Sequence, residues 1–127
     1  MTINTLERAA YTLLSTIETT YAGKAPQDAD TPFIVYRAIT RDGWDSLDGP
    51  SGMAQKSIQV DSYAIGSDDA KQLAGQVRQL LNGYGGTVSS VRIDSCRLLS
   101  ETDLSELETD PKLERVSQDF LFTFQED

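Results

Sequence analysis

The chain contains no histidine and a single cysteine, Cys96. Without an imidazole, neither a Ser-His-Asp nor a Cys-His nucleophile arrangement can be assembled. One thiol excludes an intrachain disulfide, fits a reducing compartment, and leaves zinc short of soft or nitrogen ligands. Cys96 lies in the strand-like run SVRIDSCRLL, where a small buried hydrophobe is the expected role. Positive charge is scarce as well. The 11 basic residues stand against 20 acidic ones, a net charge of −9. Such a surface repels phosphate backbones and disfavours nucleic-acid binding through a basic face. No apolar run approaches the ~18 residues of a membrane-spanning helix. The start MTINTLERAA lacks the basic-then-hydrophobic order of a secretory signal. The expectation is a chain made in the cytosol with no membrane partner.

What is present is the material of one ordinary domain. At 127 residues, with 39% hydrophobic and 24% charged, the chain can build a real core and is not compositionally disordered. The spacing of Leu6, Ala10, Leu13, Leu14, Ile17 and Tyr21 predicts a first helix over 5–21, capped by Asn4 or Thr5. Period-two alternation then predicts a strand over 33–40. Phe33, Val35 and Ile39 lie on one face, Ile34, Tyr36 and Ala38 on the other. A strand apolar on both sides wants cover on both, here helices on one face and a neighbouring subunit on the other.

A second strand is predicted over 54–65, with Ile58, Val60 and Ala64 opposed to Gln59, Asp61 and Tyr63. Ser67 is the expected cap of a second helix buried through Ala70, Leu73, Ala74, Val77, Leu80 and Leu81. Gly75 inside it suggests a close helix-sheet contact. A third strand is expected over 88–99 and a last over 113–125, with Val116, Phe120, Phe122 and Phe124 on one face. The stretch 100–112 carries five carboxylates and Pro111, and is expected to stay out of the sheet, with Leu104 and Leu107 in a short helical turn. The result is an α+β domain: a four-stranded, mainly antiparallel sheet with two helices packed on one face.

Chemistry-bearing motifs fail on inspection. GPSGMAQKS ends in Lys-Ser like a phosphate loop, but Gln55 replaces the glycine before the lysine and Pro50 the opening glycine. Asp42, Asp45 and Asp48 lack the alternating ligand spacing and closing glutamate of a calcium loop. No spacing brings two carboxylates into a pocket for hydrolysis. Neither an enzyme nor a cofactor is expected.

Four segments in order carry a family resemblance: Pro32-Phe33-Ile34-Val35-Tyr36, Leu47-Asp48-Gly49-Pro50-Ser51-Gly52, Gln59-Val60-Asp61-Ser62-Tyr63-Ala64, and Arg115-Val116-Ser117-Gln118-Asp119-Phe120. With the helix pattern of 70–80, this set resembles the tail-completion (tail-terminator, head-tail joining) proteins of long-tailed bacteriophages. The resemblance implies a hexameric ring on the end of the tail tube. That ring would stop tube polymerisation and offer a surface to the head-neck connector protein, in a virion assembled in the bacterial cytoplasm. DNA would pass through the channel without specific binding, repelled by acidic side chains.

A head-to-tail ring needs two different complementary patches per subunit. The loop with Asp42, Trp44, Asp45, Leu47, Gly49 and Pro50 is the expected interface with a subunit or with the tail tube protein. In it Trp44 serves as an aromatic anchor or folds back onto its own domain. Leu104 and Leu107 are the second candidate contact, with tube or neck. The alternative reading is a stand-alone dimeric domain that binds a small molecule or peptide.

Overall fold

A computed structural model describes residues 5–26, 28–39, 54–106 and 113–125. Thr5 caps helix α1 (Leu6–Leu14): the Arg8 amide donates to its Oγ1 at 3.2 Å. The helix stops well short of the Tyr21 that its apolar spacing predicts. Thr16 Oγ1 donates to the Leu13 carbonyl at 2.6 Å and Thr20 Oγ1 to that of Glu18 at 2.9 Å. Such side-chain bonds, in a run rich in β-branched residues, compete with the helical ladder. The chain turns instead into strand β1 (Thr20–Ala22), which pairs parallel with β2 (Phe33–Ile39).

β2 pairs antiparallel with β3 (Ala54–Ile65), and β3 with the last strand β6 (Leu113–Gln125). Between them in sequence lie helix α2 (Ser67–Leu81), strand β4 (Gly86–Val88) and strand β5 (Val91–Glu106). The sheet runs β1-β2-β3-β6-β5-β4. Among the described residues it is therefore a six-stranded, curled, mixed sheet with two helices, which overturns the expected four-stranded, mainly antiparallel one.

One extra strand, and the greater length of another, come from segments that alternation conceals. The predicted strand over 88–99 is a β4–β5 hairpin turning at Ser89 and Ser90, both at positive φ (50° and 65°). That geometry suits a two-residue hairpin turn, whose usual signature is Asn-Gly. The acidic stretch corrects a second expectation: Ser100 to Glu106 continue β5 opposite Asp119 to Leu113. Carboxylates are tolerated there because β5 is nearly an edge strand, where charge is common. Two are also paired, Glu101 with Arg78 at 2.7 Å and Asp103 with Lys71 at 3.5 Å. Register shifts at Ile93/Ser95 and Leu98/Ser100 mark bulges, which add twist and help the sheet curl.

Both helices lie on one face, against Ile34, Tyr36, Ile58, Val60, Ile93, Cys96, Phe120, Phe122 and Phe124. Gly66 (φ 95°), and not Ser67, is the N-cap of α2, with no side-chain cap bond. A Cβ on Gly75 would meet only the Arg78 guanidinium at 3.7 Å, so no tight helix-sheet contact explains it. The end of α2 is tied to β5. Asn82 Oδ1 accepts from the Leu98 amide, and the Gly83 amide donates to the Cys96 carbonyl at 2.7 Å.

Candidate assembly surface

Among the described residues the opposite face of the sheet carries no helix, and register arranges its side chains in rows. Phe33, Tyr63 and Arg115 lie side by side, then Val35, Asp61 and Ser117, then Arg37, Gln59 and Asp119. Phe33 and Val35 are nonetheless only 6% and 2% exposed. Most of the second face of β2 at this end is thus covered within the chain itself. The Phe33 ring stacks on Tyr63 at 4.8 Å and meets Tyr21 edge-on at 5.9 Å.

Asp61 lies at the centre and is fully buried. A carboxylate removed from water needs hydrogen bonds and countercharge. Gln59 Nε2 donates to both its oxygens at 3.1 and 3.2 Å, and Arg115 Nη1 and Arg37 Nη2 approach within 3.8 and 4.0 Å. Arg115 also donates to the Tyr63 hydroxyl and sits 5.8 Å from its ring centroid, while Arg37 donates to the Gly23 carbonyl. One carboxylate thus fixes two guanidiniums on flanking strands. Alternation placed Gln59, Asp61 and Tyr63 on one face, but the burial of Asp61 leaves no mark in the sequence.

Beside this cluster a groove of about 560 Å³ opens between the sheet and residues 24–26 and 29–31. Its apolar lining includes Phe33, Val35, Tyr63, Ile65 and Leu113, and its charged groups are Lys24, Asp30 and Arg37. On the helix side, Cys96 is buried, and desolvation pushes its thiol up to about 12. A thiol so protonated is a packing group. Among the described residues no cluster of three or more metal-ligating side chains is present, and no helix is long and apolar enough to cross a membrane.

Of the sequence-predicted contact residues, Asp42, Trp44, Asp45, Leu47, Gly49, Pro50 and Leu107 lie outside the described residues. Leu104 sits on β5 opposite Arg115 and is 37% exposed. It lines a cleft of about 130 Å³ with Ala70, Lys71, Asp103 and Val116. Its place in a strand replaces the helical turn expected of it.

A family model described as "Tail completion protein gp17" matches residues 6–125. The chain belongs to this family. Its sheet, both helices and the groove all fall inside the matched region. No curated protein matches the chain. Among solved structures, a chain of the "Virion of native gene transfer agent (GTA) particle" has the same fold at a TM-score of 0.70. It is 17% identical, and the match covers 96% of this chain and 95% of that one. As a tail-completion family member, the chain is a structural protein of the virion.

Proposed function

We propose that this tail-completion family member forms a hexameric ring on the tail tube. The ring stops tube polymerisation and joins the tube to the head-neck connector protein. The observation that carries the reading is a fold shared over nearly its full length with a chain of a virion particle, inside a tail-completion family match. A structural role of this kind involves no bond-making step. The loop with Asp42, Trp44, Asp45, Leu47, Gly49 and Pro50 makes the subunit or tube contact, and Leu104 with Leu107 the second. The net charge of −9 gives the bore an acidic lining past which DNA moves without sticking.

The test is native mass spectrometry and electron microscopy of the chain with its tube protein. Rings of six that halt tube growth are expected. A stable dimer indifferent to tube protein would favour the second reading, a stand-alone small-molecule or peptide-binding domain. One observation supports that alternative: the 560 Å³ groove falls within the size range of ligand sites.

A further inference from the structure

The groove beside Phe33 resembles a receptor in its chemistry. Its lining pairs aromatic and aliphatic side chains with two cations against one carboxylate, in a chain of net charge −9. Lys24 is exposed and makes no ion pair among the described residues. The segment 42–50, DGWDSLDGP, has the complementary character. It holds two large apolar side chains, Trp44 and Leu47, and three aspartates, with no cation.

Topology separates the groove from the strand ends that the 42–50 connection joins. The groove lies at the Phe33 end of β2, by Ile65 of β3 and Leu113 of β6. Residues 40–53 connect the other ends of the same strands, Ile39 of β2 and Ala54 of β3. Phe33 and Ile39 are roughly 20 Å apart along an extended strand. A closed head-to-tail ring requires two unlike, complementary patches per subunit.

We propose that the groove lined by Lys24, Ala29, Phe33, Arg37 and Tyr63 seats the 42–50 segment of a second copy of this chain. Trp44 or Leu47 enters the apolar recess, and the aspartates meet Lys24 and Arg37. The proposal rests on the ring reading and adds the acceptor to it.

Single-cysteine exchange tests it. Protein carrying Ala29→Cys is mixed with protein carrying Trp44→Cys under mild oxidation; buried Cys96 stays out of the reaction. A two-chain disulfide product is expected from this mixture and none from Gln76→Cys with Trp44→Cys. The double variant Ala29→Cys/Trp44→Cys, kept dilute, distinguishes self-docking: a cross-link within one chain overturns the proposal. Rings that assemble without the mixed product overturn it too, while leaving the ring reading intact. A mixed product without rings supports the docking and removes the ring. Absence of both removes both. Independently, Ala29→Trp, which fills the groove, is expected to weaken association roughly thirtyfold or more in sedimentation equilibrium, the scale of an interface hot spot. Its unfolding midpoint should stay near that of the wild type. Unchanged association with a filled groove would overturn the proposal.

Discussion

Asp61 is costly to bury, and what offsets the cost is visible. Two guanidiniums flank the carboxylate, and both keep water, being 46% and 28% exposed. Removing the charge with Asp61→Asn should therefore cost less than the full rupture of a buried pair, roughly 1–3 kcal/mol. A lower urea midpoint is the expected reading; an unchanged midpoint would mean that the arginines are balanced elsewhere. Cys96 gives a pH-dependent counterpart. Burial raises its thiol from 9.0 to about 12, so as pH rises the unfolded chain loses this proton first. The stability held by the neutral thiol is intact below about pH 9 and falls away between there and about 12. Relative to Cys96→Ala, the wild type should lose at most about 1.4 kcal/mol per pH unit in that window. Parallel stability curves for the two proteins from pH 9 upward would refute the assignment.

At the scale of elements, the β4–β5 turn is the clearest place to intervene. Ser89 and Ser90 hold positive φ, a conformation that favours Asn and Gly. Replacing the pair by Asn-Gly should stabilise the fold by about 0.5–1 kcal/mol, seen as a higher melting temperature. A lower one would indicate that the serine hydroxyls contribute more than the backbone strain costs, since Ser89 Oγ lies 3.1 Å from Thr12 Oγ1 of α1. The same hairpin shows where sequence reading reaches its limit. β3 and β6 were legible with their boundaries, and α2 apart from its cap, because each sustains one period over a dozen or more residues. β1 and β4 are three residues each, too short for any period, and they exist because longer strands template them. The acidic half of β5 contradicts its own propensities, and pairing with β6 overrides them. The groove was illegible for another reason: its walls come from residues 24–26, 29–31, 33–37, 63–65 and 113, joined only by folding. Of the contact residues chosen by composition, Leu104 is the one among the described residues, and it stands exposed on a strand.

For the whole molecule, the net charge of −9 opposes any assembly of identical copies. That repulsion is long-ranged, whereas contacts such as an aspartate against Lys24 act over a few ångströms. Salt separates the two, because the screening length falls from about 30 Å at 0.01 M to about 10 Å at 0.1 M. Adding salt over that range should remove most of the subunit repulsion and leave contacts near 4 Å largely intact. Association of the wild type is therefore expected to tighten from 0.01 to about 0.1 M and then to level off or weaken as the short contacts are screened. Light scattering against ionic strength at fixed protein concentration would record that rise and plateau. If association instead weakens steadily from the lowest salt, opposite charges across the interface dominate the acidic background. The carboxylates would then have to face the contact partners and not the bore, which would withdraw the acidic lining proposed for DNA passage while leaving the ring itself in place.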